Sequence, residues 1–387
     1  MEWLSALDDE AAARRAAGLR RELRPRGAGA DDPVIDLAGN DYLGLSRHPD
    51  VLAAASRALA GFGLGATGSR LVRGSTEAHR ALEDGLASLL GAQAALVYSS
   101  GYLANLGAVR ALVRGGTLIV SDAHNHASIV DGCRLACAGA AARAGAATVI
   151  APHADPDAVR GILAAHPGRP AVVVTESVFS VDGDLAPLAE LYEVTRAHGA
   201  LLLVDDAHGL GVLGPRGAGG VAAAGLSGRP DVVVTATLSK SLGAAGGVVA
   251  GPRQLHRQLV DTGRTFIYDT ALPPAVAAGA LAALGLLADG DALRAELRAR
   301  AERIVSRLRA EGLEVSAPDG GVVSVAAPSA DEAFAWAAAC RERGVAVGCF
   351  RPPSTPDGRS RLRLTINVGV PAGAFDDALD IIVKERP

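Results

Sequence analysis

The sequence predicts an α/β protein in which a mostly parallel sheet is sandwiched by helices, followed by a smaller α+β domain at the C-terminus. Short apolar runs recur at Ala94–Tyr98, Thr117–Val120, Ala147–Ile150, Ala171–Val174, Ala200–Val204, Asp231–Ala236 and Gly247–Ala250. Most are separated by stretches of helical spacing, such as Thr76–Leu90 and Pro187–His198. Beyond residue 255 this alternation gives way to a long helical stretch and scattered short strands. Unbroken apolar strands alternating with amphipathic helices fit a parallel sheet covered on both faces, since each crossover must carry the chain back to the same edge.

In chain order, residues 1–25 pattern as a helix, with Leu4, Leu7, Ala11 and Leu19 at roughly helical spacing among charges. A Gly/Ala/Asp stretch then leads into the loop-rich segment Leu37–Gly44. In the C-terminal part, Leu293, Leu297, Ile304 and Leu308 mark one face of a long helix. Strand-like Gly321–Ala326, a helix near Glu332–Arg343, strand-like Val345–Val347 and Arg361–Ile366, and a last helix complete it. The expected division is 1–50 as an N-terminal helix and lead-in, 51–255 as the large α/β domain and 256–387 as the small α+β domain.

Composition excludes several classes of function. The 387 residues carry a net charge of −4, so no basic field draws nucleic acid or anionic lipid. No apolar run is long enough to span a bilayer. The N-terminus is charged from Glu2 onward and lacks the apolar core of a signal peptide. The four cysteines, Cys133, Cys137, Cys340 and Cys349, form no CxxC pair. A reducing cytoplasm is the expected location.

Ligands of open parallel α/β sheets bind beyond the carboxyl ends of the strands. The polar clusters of this chain collect there: Ser99–Tyr102, Asp122–Ser128, Thr175–Asp184, Asp205–Gly209 and Thr237–Lys240. A carboxylate at the tip of a strand as apolar as Leu201–Val204 needs a cation or hydrogen-bond donors, and a protonated pyridine nitrogen is one such partner. Taken alone, Asp205 reads equally well as a cap of the next turn. Lys240 sits between a buried strand and a Gly/Ala-rich turn, where burial would lower its pKa and make it a nucleophile toward an aldehyde. Taken alone, it reads as a solvated loop lysine. Ser99-Ser100-Gly101-Tyr102 follows a strand and opens a helix, offering free N–H groups to a phosphate or a plain serine N-cap. Gly63–Gly68 matches GxGxxG but follows a helical pattern rather than a strand, so a nicotinamide oxidoreductase is disfavoured. His124-Asn125-His126 near Asp122 lacks a convincing further metal ligand, and no metal is expected.

With these residues in view, the chain resembles the α-oxoamine synthases, enzymes of pyridoxal-phosphate fold type I (aspartate aminotransferase-like), over nearly its whole length. The matching segments are Asn40–Leu45, Gly68–Arg70, Ser100–Tyr102, Asn125–Ser128, Thr175–Asp184, Val204–Gly209, Thr237–Lys240 and Arg361–Thr365. Asp205–Gly209, Arg351-Pro352 with Arg361–Thr365, and the N-terminal Arg14–Arg21 most resemble the branch that joins L-alanine to a pimeloyl thioester, carried by coenzyme A or a carrier protein, in biotin biosynthesis.

The resemblance implies catalytic roles for Lys240, His126, Asp205 and His208. Lys240 would hold pyridoxal 5'-phosphate as a Schiff base and later move the Cα proton. Asp205 would pair with the ring nitrogen, His126 would stack on the ring, and His208 and Ser180 would lie near the ring oxygen. Gly101, Tyr102, Thr237 and Thr270 would help hold the cofactor and its phosphate. Arg363, Asn40 and His126 would meet the amino acid, and Arg20 and Thr365 the acyl substrate. The resemblance also implies a homodimer with its active site at the subunit interface, and no nucleic-acid or membrane partner. Two departures stand out: Ser239 replaces a common glycine before the lysine, and Asp269 replaces a serine or threonine in a stretch that, in the family, reaches the neighbouring subunit's phosphate. Asp269 is expected to turn away, leaving the contact to Thr270. The rivals are a glycine- or serine-using sibling and a catalytically silent partner subunit. The Schiff-base lysine argues against the silent subunit.

Overall fold

The computed structural model describes residues 2–27, 33–317, 319–352, 354–355 and 357–387. The Gly/Ala/Asp stretch of the sequence reading lies largely outside them. Seven strands make the large sheet: β2 (Ala94–Tyr98), β3 (Leu118–Asp122), β4 (Ala147–Ala151), β5 (Ala171–Glu176), β6 (Leu201–Asp205), β7 (Val232–Thr237) and β8 (Gly247–Gly251), after a short β1 (Ile35–Leu37). Their order is β2-β8-β7-β6-β5-β3-β4, and only β8 runs antiparallel to its neighbours. The carboxyl ends of β2, β3, β5, β6 and β7 therefore share one edge.

Residues alternate between two buried faces. Val172, Val174, Leu203 and Val233 pack on one side, and Val173, Leu202, Val204, Val232 and Val234 on the other. Helices Gly101–Leu112 and Ala127–Ala136 pack against each other on the first side. This double burial is why these strands read as unbroken apolar runs. Gly247, the first residue of β8, lies where a Cβ would come 2.4 Å from the Ser100 carbonyl oxygen. Only glycine lets β8 approach the turn after β2 so closely.

The second sheet has the order β1-β10-β11-β9, with β9 (Val322–Ala326), β10 (Val345–Phe350) and β11 (Arg361–Thr365). Three features differ from the sequence reading. The first helix covers Glu2–Ala16 rather than residues 1–25, because Gly18 takes a left-handed φ of 66°. Ile35–Leu37, grouped by sequence with the lead-in, pairs parallel with Val345–Val347 and so belongs to the second sheet. Helix Pro274–Ala288, beyond residue 255, packs on helices Pro49–Phe62 and Glu77–Leu90 beside the large sheet. The loop after β5 joins the two sheets: Asp182 accepts from Arg361, and the Ser324 hydroxyl donates to the Val181 carbonyl. Among the described residues, no single helix is long and apolar enough to cross a membrane.

Candidate active site

Lys240 lies in the turn after β7, closed by the Gly243 N–H on the Lys240 carbonyl at 2.8 Å. Burial lowers its pKa to about 8; the charges of Asp205 and Glu176 pull it up and Arg363 pushes it down. About a tenth of the amine is therefore neutral at pH 7, far more than an ordinary lysine offers as nucleophile or base. Its Nζ lies 2.7 Å from His208 Nε2, and His208 Nδ1 lies 2.5 Å from the Tyr42 hydroxyl. Burial, reinforced by Lys240 and Arg363, holds His208 well below the usual histidine range, so this imidazole is neutral. The fully buried Tyr42 phenol is pushed up to about 12 by burial, with Arg363 acting in the opposite sense.

This chain of groups accommodates both protonation states of Lys240. With a neutral amine, Tyr42 donates to Nδ1, and the Nε2–H of His208 donates to Nζ. With an ammonium, Nζ donates to Nε2 and the Nδ1–H donates to Tyr42. The Tyr42 proton then faces Asn40 Oδ1, 3.5 Å away. No partner is stranded in either case. Tyr42 is a functional residue that sequence reasoning quoted within Asn40–Leu45 without giving it a role.

Asp205 ends β6 with its side chain fixed from two sides. Its Oδ1 accepts the Ala207 N–H at 3.0 Å, the turn cap weighed from sequence, and its Oδ2 accepts from Asn105 at 2.7 Å. Beside it in register, Glu176 ends β5 and is 2% exposed. Burial and then the Asp205 charge hold the Glu176 carboxyl well above the usual range, although the His126 and Ser180 backbone N–H groups donate to it. His126 N-caps helix Ala127–Ala136, and burial holds it below the usual imidazole range. Sequence reasoning quoted Glu176 within Thr175–Asp184 without giving it a role, and missed Asn105. For Asn105 a signal existed: it is a polar residue among the buried, otherwise apolar or glycine positions Ala104–Val109.

At the β2 end, Ser100 caps helix Gly101–Leu112, and a Cβ on Gly101 would come 3.0 Å from Thr237 Cβ. This is a close cradle with the free N–H groups of a helix N-terminus above it. Thr237 Oγ1 donates to the Gly246 carbonyl at 3.0 Å and lies 2.7 Å from Ser239 Oγ, so the serine that replaces glycine is held beside it. Asp269 accepts from the Ser99 hydroxyl of its own chain. The serine donor and the positive end of the nearby helix attract it there. Thr270 is exposed. Tyr102 places its backbone at the helix start, but its phenol points out and donates to Asp131 at 2.7 Å.

On the small-domain side, Arg363 donates to Asn40 Oδ1 at 3.0 Å and lies 5.2 Å from the Phe350 ring centre. Arg363 Nε, Thr365 Oγ1 and Glu176 Oε1 are buried without a protein partner. Buried polar groups are normally satisfied, so these three call for a ligand or ordered water. Arg20 lies apart from them, largely exposed and paired with Glu22 at 3.2 Å. It lines a cavity of about 1250 Å³ with Arg351 and Arg341. The structure thus forms two hydrogen-bonded groups, Lys240–His208–Tyr42–Asn40–Arg363 and Asp205–Asn105–Ser128–His126, coupled by charge, and leaves Arg20, Thr270 and the Tyr102 phenol at their margins. His124 stacks on His153 at 3.8 Å and takes no part in either group.

Residues 32–382 match the family model for class I and II aminotransferases. The chain belongs to that family. Its members use pyridoxal phosphate, and the residues present fit it: a buried lysine amine, a fixed carboxylate, a neutral imidazole and a helix N-terminus facing a glycine cradle. Among curated proteins, the chain is 54% identical to the 8-amino-7-oxononanoate synthase of Mycolicibacterium smegmatis, over 94% of this chain and 91% of that one. It is 53% identical to the enzyme of the same name from Mycolicibacterium paratuberculosis, over 98% and 93%. Among solved structures, serine palmitoyltransferase from S. paucimobilis, carrying PLP–myriocin, superposes with a TM-score of 0.90 at 30% identity, covering 99% and 97%. The 8-amino-7-oxononanoate synthase of Francisella tularensis superposes with a TM-score of 0.76 at 28% identity, covering 92% and 98%. These similarities place the chain among the α-oxoamine synthases, which are acyltransferases.

Proposed function

We propose that this enzyme condenses L-alanine with a pimeloyl thioester to give 8-amino-7-oxononanoate, carbon dioxide and the free thiol, a step of biotin biosynthesis. The observation that carries the reading is the buried Lys240 amine, set 2.7 Å from a neutral His208 and opposite an arginine with an unmet donor. In the overall balance, a bond forms between the alanine Cα and the thioester carbonyl carbon, and the C–S bond breaks. The alanine carboxylate leaves as carbon dioxide, and Cα regains a proton.

Lys240 would hold the cofactor at its aldehyde, and its free amine would take the Cα proton. His208 and Tyr42 accept the resulting change of charge without stranding a hydrogen bond. Arg363 and Asn40 bind the amino-acid carboxylate. With the cofactor bound, Asp205 would favour a protonated ring nitrogen, His126 would cover a ring face and Ser180 would help hold the ring. Bound pyridoxal phosphate supplies the electron sink for the negative charge that develops at Cα. Gly101, the Tyr102 N–H and Thr237 would hold the phosphate end, Thr270 would reach the phosphate of the neighbouring subunit, and Thr365 inside with Arg20 from the outer cavity would receive the acyl substrate.

The substrate site is read as lying between the large sheet and the second sheet. We read the enzyme as cytoplasmic and homodimeric. Leu64, Val72 and Tyr268 are 85%, 84% and 72% exposed, and the Ala271 N–H bond to the Gly68 carbonyl makes their two stretches neighbours. An apolar surface of this kind beside Thr270 supports a subunit contact there. The serine palmitoyltransferase neighbours favour one second reading, a serine-using sibling.

The deciding test supplies the purified enzyme and pyridoxal phosphate with pimeloyl-CoA and L-alanine labelled at its carboxyl carbon. One labelled carbon dioxide per 8-amino-7-oxononanoate is expected. Labelled carbon dioxide from serine and not from alanine would move the enzyme to the sibling activity.

A further inference from the structure

One buried amide links the two groups that flank the proposed cofactor ring. Asn105, in helix Gly101–Leu112, is 4% exposed. Its Nδ2 lies 2.7 Å from Asp205 Oδ2 and 2.8 Å from Ser128 Oγ, and its Oδ1 lies 2.5 Å from Thr235 Oγ1. A carboxylate only accepts, so the amide nitrogen must face Asp205, which fixes the orientation of Asn105. The Thr235 hydroxyl must then donate to Oδ1. Ser128 Oγ accepts from Nδ2, which leaves its own proton for His126 Nδ1 at 2.7 Å. The same Nδ1 accepts the Ser128 backbone N–H at 3.2 Å. Two donors converge on Nδ1, so it bears no proton and the ring proton sits on Nε2.

We propose that Asn105 is a positioning residue that aims Asp205 and fixes the tautomer of His126, through a one-way hydrogen-bond chain from Thr235 to Nδ1 of that imidazole. The chain crosses four elements: β7 supplies Thr235, helix Gly101–Leu112 supplies Asn105, β6 supplies Asp205, and helix Ala127–Ala136 with its cap supplies Ser128 and His126. Asp205 and Thr235 are register partners on adjacent strands, so the sheet itself sets the span that the amide bridges. A residue without donors at position 105 would leave a buried carboxylate oxygen without its second partner. The inference rests on the reading of Asp205 and His126 as ring-binding groups.

A double-mutant cycle on cofactor binding by apo-enzyme tests this. Asn105→Leu, similar in size but without donors, is expected to weaken pyridoxal-phosphate binding about 10- to 100-fold. In an Asp205→Ala background the same change is expected to cost clearly less, only what the Ser128–His126 arm contributes, because the carboxylate partner is already gone. Equal losses in both backgrounds, or no loss in the first, would overturn the proposal. A packing role alone predicts equal losses. If Asn105→Leu fails to fold, Asn105→Ala goes through the same cycle. A second measurement needs no variant or cofactor: nitrogen-15 chemical shifts of the imidazoles in wild-type apo-enzyme. His126 is expected as the neutral Nε2–H tautomer, and an Nδ1–H tautomer would overturn the proposal. Wild-type protein that takes up no cofactor would instead defeat the functional reading, leaving the tautomer result to judge this one.

Discussion

His153 offers a direct electrostatic test of the loop that joins the two sheets. Its Nδ1 lies 3.0 Å from Asp122 and its Nε2 2.9 Å from Asp184. Carboxylates accept, so both ring nitrogens must carry protons and the ring is a cation clamped between the end of β3 and the loop after β5. Burial alone would depress its pKa, but the hydrogen bonds and charges of Asp122 and Asp184 outweigh it and raise the value to about 9. Against an unfolded value of 6.5, this is worth about 3 kcal/mol of folding stability at 1.36 kcal/mol per pKa unit. The ring keeps 24% exposure, so solvent screening makes that figure an upper one. Because the folded pKa is raised, the contribution is complete below pH 6.5 and disappears as pH climbs through about 9. The assay is urea unfolding of apo wild type and His153→Gln at pH 6 and at pH 9.5. Wild type should lose up to about 3 kcal/mol more than the variant between the two pH values. Identical pH dependence in the two proteins would refute the reasoning.

Other outcomes follow from the same geometry. Lys240→Ala should abolish turnover while far-UV circular dichroism and cooperative unfolding persist; retained turnover would remove Lys240 from the reaction. The lowered amine pKa predicts that apo-enzyme captures the cofactor aldehyde faster as pH rises, with a midpoint near 8, and a midpoint above 10 would contradict burial of the amine. Arg363→Lys should raise KM for the amino acid about 10- to 100-fold with a smaller change in kcat, because a planar two-pronged donor becomes a point charge. Asp269→Asn removes an anion from the head of helix Gly101–Leu112, so affinity for pyridoxal phosphate should rise about 2- to 10-fold while affinity for unphosphorylated pyridoxal stays level. Equal shifts for both ligands would place Asp269 away from the phosphate.

Much of this architecture was legible in the sequence for a physical reason. Strands such as β5 and β7 are buried on both faces, so they must be continuously apolar, and their polar tips stand out sharply. Lys240, Asp205, His126 and His208 are all within or just after such tips. The second sheet was less legible: Ile35–Leu37 is three residues long and gains its place only by pairing with a strand more than 300 residues away. Long-range register of that kind leaves no local periodicity to read. The same holds for Tyr42, whose partner His208 lies 166 positions on, and for Asp269, whose partner is Ser99. Asn105 was visible as a polar residue on a buried helix, but its partners come from three other elements, and only the fold brings them together.

The most direct test of the central claim is the visible absorbance of the purified protein in pyridoxal phosphate while L-alanine, glycine and L-serine are titrated separately. A yellow protein is predicted, with a band that is lost in Lys240→Ala and shifts chiefly with L-alanine. A protein that stays colourless and takes up no added cofactor would contradict it.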